Sequence, residues 1–265
     1  MTEYTTLTVD TDVRGVARLW MNRPQIHNAM NAQMIVELSS ALQQLAQDAA
    51  VRVVVLSGQG RSFSAGADVN WMKAAGEASL EENLQDARQL AAMLATLAEL
   101  PKPTIARVNG AAIGGGMGLA CACDICVASD QAVFAVSEVR LGLIPSAISP
   151  YVLRALGERQ SYRYFLTAEH IRGEAARTLG VAHEVVADAA LDDTVNALTE
   201  ALLQGGPQAQ AAGKSLIRAV AHQAVDERIR EETARRIAVL RAGEEAQEGL
   251  AAFLDKRAAA WTPQA

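Results

Sequence analysis

The sequence contains no apolar run of roughly 18 residues, the length a membrane-spanning helix needs, so none is expected. Residues 1–10 are polar and acidic. They lack the basic, then apolar, then small-residue order of a secretory signal and the arginine richness of a transit peptide, and a cytoplasmic location is the default expectation. Basic residues are in deficit: 24 Lys and Arg against 30 Asp and Glu leave a net charge of −6, which argues against a nucleic-acid partner. Cysteine is scarce, with Cys121, Cys123 and Cys126 clustered in one apolar stretch. A zinc site would need a second cluster or a spaced histidine pair. His27, His170, His183 and His222 provide neither, and no metal is expected. The odd cysteine count disfavours a disulfide framework, so the thiols are expected to be buried, reduced and inert. Repeats and low-complexity tracts are missing, as are the Gly-x-Ser-x-Gly elbow of serine hydrolases and the phosphate-binding G-x-x-x-x-G-K-[ST] loop.

What is present is hydrophobic sequence, half of 265 residues, enough for a sizeable core. Residues 5–9 and 13–20 read as strands around turns near Asp12 and Gly15. Asn31 reads as a helix N-cap, followed by Met34, Leu38, Leu42 and Leu45 at helical spacing. Residues 51–56 are the β-branched run of a strand buried on both faces. A helix over 80–100 stops at Pro101 and Pro103. Residues 104–108 and 125–128 read as strands, with a glycine-rich turn and a helical stretch, 119–123, between them. Strands alternating with helices imply an α/β fold with a largely parallel sheet. After about residue 147 helical patterns dominate, over 150–156, 158–166, 173–179, 191–203, 207–222, 226–240 and 243–257, with one strand at 182–186. The chain is therefore divided into a sheet-containing core, residues 1–200, and an α-helical region, residues 201–265. Ile229, Ile237, Leu240, Leu250 and Phe253 lie on apolar faces of the last two helices. Periodicity does not separate packing on the chain's own core from packing on a neighbouring subunit.

Two small-residue turns follow buried strands and precede helices: Phe63-Ser64-Ala65-Gly66-Ala67-Asp68-Val69, and residues 108–120, which include Gly114, Gly115, Gly116 and Gly118. In open α/β sheets ligands bind at the carboxyl ends of strands. The glycine spacing is not the G-x-G-x-x-G of a dinucleotide site. Bare backbone at helix N-termini can hold two N–H groups on one oxygen that gains negative charge. Equally, the glycines can serve only tight helix–sheet packing, and the residues alone leave both readings open.

Several stretches in order resemble the enoyl-CoA hydratase/isomerase (crotonase) family. They are Asn22-Arg23-Pro24 with Asn28-Ala29, Phe63-Ser64-Ala65-Gly66-Ala67-Asp68, Lys102-Pro103-Thr104-Ile105-Ala106, Asn109-Gly110 with Gly114-Gly115-Gly116, Cys123-Asp124-Ile125, residues 137–145 from Ser137 to Pro145, and Leu166-Thr167. The likeness spans about residues 5–260. It implies a crotonase-like spiral of ββα units with a helical C-terminal region, an acyl-CoA thioester as substrate, and a homo-oligomer, a hexamer built as a dimer of trimers. CoA would be part of the substrate, and no metal or redox cofactor is implied. By motif position the thioester oxygen would accept N–H bonds from Ala67 and Gly115. Ala65, Asp68 and Val69 would line the CoA path, and Phe253 and Lys256 match a C-terminal pair that meets the CoA of a neighbouring subunit. Trp71 would line the acyl pocket. Asp124 is expected to be structural, and Glu37 and Glu169 read as solvated.

One departure from the family pattern matters. Ordinary hydratases of the family carry two catalytic glutamates; here Glu138 stands at the second position and Gly118 at the first. Glycine cannot transfer a proton, so the chain is expected to rely on Glu138 alone. The resemblance is narrower toward bacterial 3-methylglutaconyl-CoA hydratases of leucine breakdown and their relatives acting on isohexenylglutaconyl-CoA, through Gly116-Met117-Gly118-Leu119, residues 141–152 and residues 247–253. This implies hydration of a branched, carboxylated enoyl-CoA. The absent side chain at Gly118 is expected to make room for the branch, and Arg140 or Lys73 to meet the free carboxylate. The alternatives are a Δ3,Δ2-enoyl-CoA isomerase and a non-catalytic acyl-CoA binder.

Overall fold

The computed structural model describes residues 4–263. Strands β1 (Leu7–Thr11) and β2 (Val16–Met21) form an antiparallel hairpin. The strand expected from residue 13 starts later, because Val13 projects fully into solvent at the turn and Gly15 takes φ 86°. The Asn31 side chain accepts the Met34 N–H and starts α1 (Ala32–Gln47), whose Met34, Leu38 and Leu42 are buried at the expected spacing.

A three-step spiral follows. In the first step β3 (Val53–Gly58) is followed by the short β4 (Ser62–Ser64), then α2 (Val69–Glu77) and α3 (Leu80–Glu99). The second step is β5 (Thr104–Val108), β6 (Ala111–Ile113) and α4 (Gly115–Ala122). The third is β7 (Ile125–Ser129), β8 (Val133–Ala135), a single helical turn over Glu138–Leu141, and α5 (Ser149–Thr167), which breaks at Gly157 with φ 72°. The first strand of each step enters one sheet and the second strand enters another. With β9 (Ile171–Arg172) and β10 (Glu184–Val186), separated by the short α6 (Gly173–Thr178), the larger sheet runs β1-β2-β3-β5-β7-β10 and the smaller β4-β6-β8-β9. From β2 to β10 the larger sheet is parallel, and so is β4-β6-β8. This is the ββα spiral that the resemblance implied.

Helices cover both faces of the larger sheet, which is why β3 is buried along its whole length. On one side Met34, Leu38 and Leu42 of α1 meet Met93, Leu94 and Leu97 of α3 in the main core. On the other, Leu191, Val195 and Leu203 of α7 (Leu191–Leu203) pack against Val16, Val53, Val55, Ile105 and Val127. The boundary expected at residue 200 falls inside α7, a helix that belongs to the sheet. After α7 come α8 (Pro207–Val220), α9 (Glu227–Ala242) and α10 (Glu244–Leu254). Of the apolar residues singled out there, Ile229 is buried, while Ile237, Leu250 and Phe253 are exposed in the chain. No helix among the described residues is long and apolar enough to cross a membrane.

Two expectations about single residues are settled by packing. Asp124 is structural: its carboxylate accepts from the Thr104 amide and hydroxyl and pairs with half-buried Lys214 at 2.6 Å. Glu37 is not solvated. It is 5 % exposed and accepts from the amides and hydroxyls of Thr5 and Thr6 and from Gln33. Burial alone would raise its carboxyl pKa, but these bonds outweigh it and hold the value at about 2. The helical pattern around Glu37 does not announce a strand edge that needs an acceptor. Cys123 and Cys126 are buried and Cys121 half-buried; burial pushes the Cys121 thiol up to about 12, far from a reactive thiolate.

Candidate active site

The smaller sheet assembles the site. Its parallel strands β4, β6 and β8 are neighbours, so the loops after their carboxyl ends lie side by side. Those loops carry Ala65–Asp68, Gly114–Gly115 and Glu138, which are distant in sequence.

The first loop is held from below by the segment after β2. Met30 pairs with Ala67 as an isolated parallel bridge. The Met30 N–H donates to the Gly66 carbonyl and the Asp68 N–H to the Met30 carbonyl, so the Ala67 N–H points away from Met30. Asp68 is buried. Its carboxylate accepts from the Asn70 amide as the N-cap of α2 and pairs with Arg23 at 2.8 Å. Although burial opposes it, the Arg23 bond lowers its pKa below the usual carboxylate range. Arg23 also donates to the Ala29 carbonyl at 2.7 Å. The Asp68 side chain thus ties the loop to α2 and to Arg23. Asn28, fully buried at φ 54°, accepts from the Arg23 amide and donates to the Gln59 and Ser62 carbonyls. In the sequence Arg23 and Asn28 are no more than motif letters; in the fold Arg23 clamps this loop through Asp68, and Asn28 braces the turn between β3 and β4.

The second loop turns at Gly114, with φ 51° and ψ −119°, a conformation open only to glycine. Its N–H donates to the Ala135 carbonyl of β8 at 2.8 Å. Gly115 opens α4, so its N–H has no partner inside the helix. Packing accounts for two of these glycines: a Cβ would lie 2.3 Å from the Ser64 carbonyl oxygen at Gly116 and 1.9 Å from Met30 Cε at Gly115.

Glu138 leads the helical turn after β8. Its carboxylate lies against Gly114, where a Cβ would be 3.0 Å from Oε1. Oε2 is buried without a hydrogen-bond partner. Desolvation raises its pKa above the ordinary glutamate value, against weaker lowering by the Ser137 and Glu138 backbone. A carboxyl oxygen buried without a partner beside the N-terminus of α4 is equipped to take and return a proton.

The other expected residues are placed as follows. Ala65 is half-buried, its N–H donating to the His27 carbonyl, and Val69 is exposed. Trp71 is half-buried, packs on the main core and donates its indole N–H to Asp86 at 2.8 Å, tying α2 to α3. Arg140 is exposed and donates to the Ala168 carbonyl at 3.0 Å; Lys73 is exposed on α2. Phe253, 80 % exposed, and Lys256 stand at the C-terminal end of α10. Gly118 is buried, and the space its missing side chain leaves is not vacant: Ile148 fills it, its Cγ2 2.2 Å from where a Cβ would stand. The expectation of room for a branch at that spot is corrected by this packing.

A profile of the family described as "Enoyl-CoA hydratase/isomerase" matches residues 11–264. The chain is 33 % identical to the 2,3-dehydroadipyl-CoA hydratase of Escherichia coli, covering 91 % of this chain and 93 % of that one. It is 32 % identical to an enoyl-CoA hydratase of Alternaria alternata, covering 90 % and 78 %. The crystal structure of an enoyl-CoA hydratase from Shewanella pealeana superposes with a TM-score of 0.95 at 40 % identity, over 98 % of this chain and 97 % of that one. The chain belongs to the enoyl-CoA hydratase/isomerase family. Within that class it is an enzyme of the crotonase type, an enoyl-CoA hydratase working on an acyl-CoA thioester.

Proposed function

We propose that the enzyme adds water to a branched, carboxylated enoyl-CoA, 3-methylglutaconyl-CoA, with Glu138 as its single proton-transfer group. The observation that carries this reading is the Glu138 carboxyl, buried and unpaired on Oε2 beside Gly114, in a site where the other glutamate position is Gly118. The Ala67 and Gly115 N–H groups would hold the thioester oxygen. Glu138 takes a proton from water, the water oxygen bonds to Cβ, and the electrons of the double bond move onto the thioester as an enolate. The same carboxyl then returns the proton to Cα. Charge developing on the oxygen is met by fixed N–H dipoles, the arrangement that lowers such barriers most. Support for a carboxylated substrate comes from the motif resemblance and from a relative whose name is that of a hydratase for another dicarboxylic enoyl-CoA, 2,3-dehydroadipyl-CoA.

Ala65, Val69 and the Asp68 backbone would border the CoA, and Arg140 is the candidate for the substrate carboxylate. The exposed Ile237, Leu250, Phe253 and Leu254 support a homo-oligomer, a cytoplasmic hexamer of two trimers, with Phe253 and Lys256 meeting a neighbour's CoA. A second reading, a Δ3,Δ2-enoyl-CoA isomerase, is favoured by Gly118, since one carboxyl suffices to move a proton between carbons.

The test is the absorbance of the conjugated thioester with 3-methylglutaconyl-CoA, crotonyl-CoA and a 3-enoyl-CoA, for wild type and Glu138→Ala. Fastest loss on the branched diacid, abolished in the variant, is expected. Absorbance gained on the 3-enoyl-CoA alone would make the enzyme an isomerase.

A further inference from the structure

The Gly118 N–H donates to the Gly114 carbonyl at 3.0 Å. The two glycines are therefore one turn apart, Gly114 as the N-cap of α4 and Gly118 within it. A side chain added at Gly114 would meet the Glu138 carboxyl, and one added at Gly118 would meet Ile148, whose Cγ2 and Cβ lie 2.2 and 2.7 Å from the position of an added Cβ. Ile148 is 2 % exposed. It is also the N-cap of α5 and makes no side-chain capping bond, at a position where Ser, Thr, Asp or Asn is preferred. An apolar residue there forgoes the cap and gains contact with Gly118. Ile148 is thus the hydrocarbon next along α4 from the proton-transfer group.

We propose that Ile148 is a specificity-determining residue: its side chain stands in the place of a second protic group and forms the wall on which the Cβ substituent of the acyl group packs. This rests on the hydratase reading above. With the thioester oxygen at the first amide of α4 and Glu138 at Gly114, the next turn begins about 5.4 Å along the helix. That is comparable to the reach from a thioester carbonyl to the substituents on Cβ. A second carboxyl at this wall would put a charge against the branch, whereas isoleucine offers it methyl and methylene contact and excludes water.

The experiment compares kcat/KM for 3-methylglutaconyl-CoA and glutaconyl-CoA, which differ only in the Cβ methyl, in wild type, Ile148→Val, Ile148→Ala and Glu138→Ala. The methyl/unmethylated ratio is expected to fall about tenfold in Ile148→Ala, the lower range for one lost hydrocarbon contact, and by less in Ile148→Val. Glu138→Ala should lose both activities. If Ile148→Ala fails to fold by thermal unfolding, Ile148→Val alone decides. A ratio within twofold of wild type in every folded Ile148 variant overturns the inference while leaving the hydratase reading intact. If wild type instead isomerises 3-enoyl thioesters and hydrates nothing, the hydratase reading fails. The same ratio, taken on 3-hexenoyl-CoA and its 3-methyl analogue, then decides Ile148.

Discussion

Gly114→Ala tests whether Glu138 is held by shape alone. Two costs are readable. The backbone at φ 51°, ψ −119° lies outside the wells of an L-residue, and holding a side chain there costs about 1–3 kcal/mol. For a domain of this size that lowers Tm by roughly 2–10 °C. The new methyl would also sit 3.0 Å from Glu138 Oε1 and 3.6 Å from its Cδ, so the carboxyl must retreat by a few tenths of an ångström. Misplacement of a reacting group by 1 Å costs about 10²-fold, and a shift of this size predicts a fall in kcat of about 3- to 10-fold. The assay is thioester hydration across substrate concentration, with thermal unfolding beside it. The expected pattern is a fall in kcat larger than any change in KM, in protein that is folded at the assay temperature. A kcat within twofold of wild type would show that Glu138 does not act from the position described, and the single-carboxyl mechanism would fall with it.

The acid limb of the kcat/KM profile should lie above the ordinary glutamate value of about 4.3, because burial raises the Glu138 pKa and its first task needs the carboxylate; a limb at or below that value would contradict the desolvated site. For stability the sign is opposite. A raised folded pKa contributes stability below the unfolded pKa and loses it as pH rises through the folded one, so Glu138→Gln should be inactive yet unfold at pH 7 no lower than wild type. Arg23→Met should lower kcat about tenfold or more by releasing Asp68 and the Ala67 amide, given the ~10²-fold cost per ångström; a fall in Tm with unchanged kcat would make Arg23 purely structural. Glu37→Gln should cost about 2 kcal/mol at pH 7, the scale of hydrogen bonds to a charged group. Since its folded pKa is about 2 against an ordinary 4.5, that stability is present above the unfolded pKa and the gap should close as pH falls through this window; a pH-independent gap would refute the assignment.

Much of the larger sheet was legible because β3, β5 and β7 are apolar runs long enough to leave a signal. Helices α1, α3 and α5 to α10 were legible from spacing, caps and proline stops, while the glycine-rich first turn of α4 read as loop. The strands that build the site were not. β4, β6 and β8 have three residues each, too short for an alternation to register; β4 and β6 fall at small-residue turns, and β8 lies in a stretch with no element assigned from the sequence. The motifs marked which loops matter, while their meeting depends on a sheet that local sequence does not display. Glu37 was misread for a related reason: its partners, Thr5 and Thr6, lie about thirty residues earlier, and nothing within one helix turn reports them. Ile148 was invisible as well, since an isoleucine before a proline-containing helix start reads as ordinary core. Its significance arises only from what it touches.

The contrast in hydrogen bonding around the site bears on which residue reacts. Arg23, Asn28 and Asp68 surround the Ala67 loop with polar atoms, and each is engaged: guanidinium on carboxylate and carbonyl, amide on two carbonyls, carboxylate on an N-cap. Such groups fix geometry because each bonds to two partners at once. Glu138 is treated differently. Among the described residues with a buried, unpartnered side-chain oxygen or nitrogen, it is the carboxylate. An acid oxygen buried without a partner is costly. Around Glu138, Gly114 carries no side chain, and Ile148 occupies the place that a side chain at Gly118 would fill. In the proposed reaction that oxygen is the one free to take the proton from water.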